Sequence, residues 1–129
     1  AINMRGIQDV AIFGYSYGGQ RTWELADEID GTKAHFSSYR TKFTAYIDAY
    51  NPKDPGPVKR RPPGSDYHLN IFQTNNWPHG AEMLKSGGAN EELKFDATRP
   101  EVDHFTIDDL AAEVHRLIRQ RLEAKMPRK

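Results

Sequence analysis

Four apolar residues in a row, Val10, Ala11, Ile12 and Phe13, run into the glycine cluster Gly14-Tyr15-Ser16-Tyr17-Gly18-Gly19. Beyond it Trp23, Ala26 and Ile29 recur at spacing three, with Leu25 adjacent. The unbroken run predicts a short buried strand over 9–13, the spacing predicts a helix over 20–29, and Gly31 supplies its stop. The order is strand, glycine turn, helix.

In "KFTAYIDAY" the residues Phe43, Ala45 and Ile47 alternate onto one face and predict a second strand over 43–49. The stretch "NPKDPGPVKRRPPGSD" that follows holds five prolines and two glycines and predicts a long surface loop. "YHLNIFQ" predicts a third strand over 67–73 and "ELKFDA" a fourth over 92–97, with the loop-rich "TNNWPHGAEMLKSGGAN" between them. Leu110, Val114, Leu117, Ile118 and Leu122 fall on one side of a final helix, which Thr106 or Asp108 can cap and whose basic end suits the helix dipole. Strands alternating with helices predict an α/β fold, a mostly parallel sheet flanked by helices.

At 129 residues the chain is expected to form a single domain, 1–129, with a modest core. Hydrophobic residues are 37% and charged residues 28%, the balance of a globular chain. Eighteen basic and eighteen acidic residues cancel, so no overall field gathers polyanions and nucleic acid is not implied. The basic stretch of Lys53, Lys59, Arg60 and Arg61 reads as a solvated loop. The absence of cysteine removes disulfides, thiolate nucleophiles and cysteine metal sites, and leaves the compartment open. No apolar run is long enough to span a bilayer.

Gly14, Ser16 and Gly18 have the G-x-S-x-G spacing between a predicted strand and a predicted helix. In that setting the glycines Gly14 and Gly18 allow a sharp turn that lifts a serine hydroxyl into the open. An anion cradle fits less well, because no lysine follows as in a P-loop and the glycines do not match a dinucleotide fingerprint. A serine becomes a nucleophile when an imidazole takes its proton and a carboxylate holds the imidazole. Among His35, His68, His79, His104 and His115, the base is expected to be His104, in the loop "PEVDHFTIDD" before the last helix, with His79 next. The orienting acid is expected to be Asp48, at the carboxyl end of the second strand, with Asp66, Asp96 and Asp103 as alternatives. His104 with Asp108 or Asp109 is a weak metal motif, those aspartates being better explained as first-turn helix residues.

With these residues in view the chain resembles the α/β-hydrolase superfamily in its lipase and esterase-like branch. "VAIFGYSYGG" is similar to the nucleophile strand and elbow, "TAYIDAY" to the next strand with its terminal acid, and "VDHFTIDD" to the histidine loop. The resemblance implies a partial fold of that family that lacks its usual strands ahead of the elbow. It also implies a serine hydrolase that cleaves a small-molecule acyl ester through Ser16, His104 and Asp48 with no cofactor and no metal, Tyr17 N–H meeting the oxyanion. The aromatics Tyr15, Tyr50 and Trp77 are candidates to line an acyl pocket. The family's second oxyanion donor comes from a loop ahead of the elbow strand, and loss of one donor costs about 3 kcal/mol of transition-state stabilisation. An open sheet edge beside the elbow leads to the expectation of a homo-oligomer or a complementing chain. The alternative is a noncatalytic hydrolase-like binding or structural module, or a fragment that needs such a chain.

Overall fold

A computed structural model describes residues 9–31, 40–54, 56–80, 82–83, 88–108 and 112–126. Strand β1 (Asp9–Tyr15) leads into helix α1 (Tyr17–Gly31), followed by β2 (Arg40–Ile47), β3 (His68–Gln73), β4 (Glu91–Phe95) and helix α2 (Ala112–Lys125). The four strands lie in the order β1-β2-β3-β4, each parallel to the next. The proline-rich loop holds one short 3-10 helix at Pro57–Lys59 and buries Val58 against Tyr46, Ala49 and Met83.

The two faces of the sheet follow from alternation along β2. Phe43, Ala45 and Ile47 point to one side, where they join Leu69, Ile71, Phe95 and the α2 residues Val114 and Ile118 in the main core. Tyr46 points to the other side, where α1 packs. Arg121 grips Glu91 through two nitrogens at 2.6 and 3.0 Å and so fastens α2 to β4. That guanidinium holds the Glu91 carboxyl below the usual carboxylate range.

The buried stripe of α1 is Gly19, Thr22, Ala26 and Ile29, whereas Trp23 is only half-buried and Leu25 is exposed. This corrects the apolar stripe expected from spacing, and the reason is room. A Cβ on Gly19 would lie 2.3 Å from the Ala49 Cβ, so the helix approaches the sheet through its smallest residue, not its largest. Thr22 is buried at no polar cost because its hydroxyl donates to the Gly18 carbonyl at 2.8 Å. On α2, Val114 and Ile118 are buried and Leu117 and Leu122 pack beside them, while Leu110 lies outside the described residues. Thr106 is used within its own loop instead of as a helix cap: its hydroxyl oxygen accepts from Asp103 N–H at 2.9 Å and its proton goes to the Glu101 carbonyl at 2.8 Å.

His68 lies on β3 and is wholly buried, edge-on to Tyr46 at 4.3 Å. Ser65 donates to the Tyr67 carbonyl at 3.0 Å, so Thr44 donates to Ser65 and accepts from His68 Nδ1, each at 2.7 Å. The proton is therefore on Nδ1, and Nε2 is a buried lone pair with no hydrogen-bond partner among the described residues. Burial first, and the Arg61 charge second, push the imidazole down from 6.5 to about 3. Unfolding lets it take a proton near pH 6.5, so native stability falls as the pH drops from 6.5 towards 3. Between pH 7 and 5 the expected loss is about 2 kcal/mol. Guanidinium unfolding at the two pH values checks it, and in His68→Gln the loss is expected to shrink to a fraction of that.

Candidate active site

The strand register decides where the site forms. Gly14 and Tyr15 of β1 stand opposite Tyr46 and Ile47 of β2, Ile47 opposite Ile71 of β3, and Gln73 opposite Phe95 of β4. Ser16 and Asp48 each follow the last residue of adjacent parallel strands and meet at the carboxyl edge of the sheet, where open α/β sheets place their sites.

Ser16 is the single residue between β1 and α1 and has φ 56°, in the left-handed region that L-residues enter at a cost of about 1–2 kcal/mol. Its neighbours hold it there. Ser16 N–H donates to the Ile47 carbonyl at 3.0 Å, and its own carbonyl accepts from Gly19 N–H at 3.0 Å and Tyr50 N–H at 3.2 Å. A Cβ on Gly14 would stand 2.0 Å from the Gly18 carbonyl oxygen, so the first glycine of the motif is sterically required. The second is not. A Cβ on Gly18 would meet nothing within 4 Å among the described residues, and the close approach falls on Gly19 instead.

Asp48 also has positive φ, 48°, and is fully buried. Its Oδ1 accepts from Gly80 N–H at 2.6 Å and Gln73 N–H at 3.2 Å. Its Oδ2 accepts from Gln73 Nε2 at 2.9 Å and lies 2.7 Å from His104 Nδ1. Four groups that converge on one carboxyl make it an acceptor throughout, which puts the proton on His104 Nδ1 and the lone pair on Nε2. Ser16 Oγ stands 2.9 Å from that Nε2. The three residues expected from the sequence are thus joined in one hydrogen-bonded chain.

His104 is itself buried and held from several directions. Its N–H donates to Asn76 Oδ1 at 2.8 Å, and the Tyr15 hydroxyl donates to its carbonyl. The Tyr15 ring stacks on the imidazole at 5.1 Å, with Phe105 and Tyr50 edge-on at 5.4 and 6.4 Å. Asn75 ties the same loop down by donating to the Arg99 and Val102 carbonyls.

The alternatives have other partners. His79 donates from Nδ1 to the Gly80 carbonyl at 2.6 Å, and His115 lies exposed on α2. Asp66 pairs with Arg40 and Lys42, Asp96 accepts from Thr98, and Asp103 accepts from the backbone of Phe105 and Thr106. His35 and Asp109 lie outside the described residues, and among the described residues no cluster has three metal-ligating side chains. Tyr17 opens α1, so its N–H is one of the four that a helix start leaves without an intrahelical acceptor. Tyr50 and Trp77 meet edge-on at 5.0 Å and line one cavity, whereas Tyr15 is spent on His104. The cluster of Gln73, Asn76 and Gly80 was missed by sequence reasoning. Its one visible signal is a glutamine that follows the apolar pair Ile71 and Phe72 at the end of a strand.

Gln73 is fully buried and serves both sides of the site. Its Nε2 holds Asp48, while its Oε1 accepts from Asn75 N–H at 2.7 Å and Asn76 N–H at 3.1 Å, fixing the loop whose Asn76 side chain receives His104 N–H. Gln73→Leu is expected to lose about 2–4 kcal/mol of stability through orphaned buried groups. If Ser16 is catalytic, the same change is expected to lower kcat by about 10²-fold through a displaced imidazole, read by steady-state kinetics below the unfolding transition.

Comparison with family models, with curated proteins and with solved structures finds no match. The class that the fold defines is therefore a coarse one: a small α/β fold with a four-stranded parallel sheet flanked by helices. No helix among the described residues is long and apolar enough to cross a membrane.

Proposed function

We propose that the chain is a carboxylic ester hydrolase of the serine type, with Ser16 as nucleophile, His104 as general base and acid, and Asp48 as the group that orients His104. The observation that carries this reading is the chain of contacts from Ser16 Oγ to His104 Nε2 at 2.9 Å and from His104 Nδ1 to Asp48 Oδ2 at 2.7 Å. Ser16 Oγ bonds to the ester carbonyl carbon as its proton passes to Nε2. The tetrahedral oxyanion is met by the Tyr17 N–H at the positive end of α1. The C–O bond to the alcohol then breaks, and the alcohol leaves with the proton from Nε2. Water attacks the acyl-enzyme, gives one proton to Nε2 and releases the acid, and Ser16 recovers that proton. No cofactor enters these steps.

A second reading is favoured by the sheet edge. β1 has a single neighbour among the described strands, and Phe13 on it is 52% exposed. An open parallel edge with a large apolar side chain suits a surface covered by a second copy or a complementing chain. On this reading the chain is a hydrolase-like half, binding or structural by itself, and active only when its cover supplies the second oxyanion donor.

Hydrolysis of a short-chain chromogenic ester by the purified chain, with Ser16→Ala alongside and the mass in solution measured on the same sample, separates the readings. Turnover lost in Ser16→Ala supports acyl transfer. Turnover equal in both proteins, or absent from both, rejects the isolated chain as a serine hydrolase and leaves the second reading.

A further inference from the structure

Directly after Asp48 in the chain, Ala49 to Pro52 form one side of a cavity of about 460 Å³, a size that holds a small organic group. Tyr50 and Trp77, edge-on at 5.0 Å, provide aromatic walls, and the buried Ala49 and Val58 add apolar surface. Tyr50 joins this cavity to the reacting residues, since its N–H donates to the Ser16 carbonyl and its ring stands edge-on to His104. Pro52 and three polar side chains complete the lining, Asn51, Lys59 and His79, and Asn51 Oδ1 is engaged by the Lys53 and Asp54 N–H groups at 3.1 and 3.3 Å. His79 donates from Nδ1 to the Gly80 carbonyl at 2.6 Å, and the ammonium among the lining side chains is that of Lys59. Lys59 forms no ion pair among the described residues.

We propose that this cavity takes the acyl group of the substrate, and that this group is a flat aromatic unit whose far end carries a carboxylate met by Lys59. The inference rests on the acyl-transfer reading above and deepens it. Aromatic walls prefer a flat partner that offers both face and edge, which sets an aromatic acyl group above a flexible alkyl chain. A cation in a largely apolar wall selects by charge: a neutral group replaces its water with at most an uncharged acceptor, whereas a carboxylate replaces that water with a charge-assisted hydrogen bond.

The test compares para-nitrophenyl para-carboxybenzoate with para-nitrophenyl para-carbamoylbenzoate, esters of nearly equal shape that differ in charge. The intact chain is expected to prefer the carboxylate by about fivefold in kcat/KM, the scale of one partly exposed ion pair. Lys59→Met is expected to erase the preference and Lys59→Arg to keep most of it. A second arm follows fluorescence as methyl para-carboxybenzoate and methyl para-carbamoylbenzoate are added to Ser16→Ala, with Trp77→Phe in the same background as the control for signal from this cavity. Here too the carboxylate is expected to bind more tightly, by a margin that Lys59→Met removes. Ser16-dependent turnover with no charge preference, or with one that Lys59→Met leaves intact, overturns this inference and leaves acyl transfer standing. Charge-selective binding without turnover supports the cavity and overturns the catalytic reading. Neither turnover nor charge-selective binding overturns both.

Discussion

Ser16→Ala is expected to lower ester turnover by at least about 10⁴-fold, because the removed oxygen is the one that forms the covalent bond. What remains is the slower attack of water in the same pocket. Alanine keeps a Cβ at φ 56°, so the left-handed strain at this residue is unchanged and the variant is expected to fold. Ser16→Gly abolishes turnover equally but removes the Cβ. Relief of about 1–2 kcal/mol of left-handed strain works against roughly 0.5–1 kcal/mol of extra chain entropy. The glycine variant is therefore expected to match or exceed the alanine variant in stability, by up to about 1.5 kcal/mol, read by guanidinium unfolding. An alanine variant that retains turnover would remove Ser16 from the mechanism. A glycine variant clearly less stable than alanine would instead show that the elbow is unstrained, with the catalytic reading unaffected.

Asp48→Asn is expected to be nearly as damaging, about 10³–10⁴-fold in kcat, although it changes one atom. Asparagine tolerates the left-handed backbone at this position, so the turn itself survives. Its amide can sit in two ways. The Gly80 and Gln73 N–H groups that face Oδ1 belong to the backbone and cannot retreat, so the amide oxygen is expected to face them. The amide nitrogen then faces His104 Nδ1 and Gln73 Nε2. His104 can satisfy a donor there only as the Nε2–H tautomer, and that tautomer cannot accept the Ser16 proton. Gln73 cannot turn its amide over without orphaning the Asn75 and Asn76 N–H groups on its Oε1. The variant is therefore expected to lose about 2–3 kcal/mol of stability as well, since two donors meet in a buried place. Imidazole nitrogen NMR reads the tautomer directly: a proton still on Nδ1 in the variant would rule out this account of the lost rate.

Most strands were legible to within a residue or two, because burial on one or both faces of a sheet leaves a pattern of period two or an unbroken apolar run. The second strand is the exception. It begins at Arg40, three residues ahead of the expected start, and ends at Ile47 instead of Ala49, because Asp48 turns the chain through positive φ. Helix α1 begins at Tyr17, earlier than its apolar spacing predicts. Two glycines weaken the local helix signal there, and the first turn is held from outside by the Ser16 carbonyl and by packing on Ala49. For the same reason the spacing pointed Trp23 inward and left Gly19 unnoticed. Hydrophobicity marks what prefers to leave water, whereas the contact between α1 and the sheet was decided by how little space it leaves.

The sequence by itself determined the order of elements, the sharp turn at Ser16 and a short set of candidate partners, because each depends on residues within a few positions of one another. Only the tertiary structure decided the rest. Ser16 and His104 are 88 positions apart and His104 and Asp48 are 56 apart; the loop before the last helix put His104 ahead of His79 as the expected base, but only the fold brings its ring to the serine. The parallel register chose Asp48 by ending β1 and β2 side by side. The buried Gln73 and Asn76 then fixed the acid and the histidine loop in one network, whose hydrogen bonds exist only once four distant segments have been brought together.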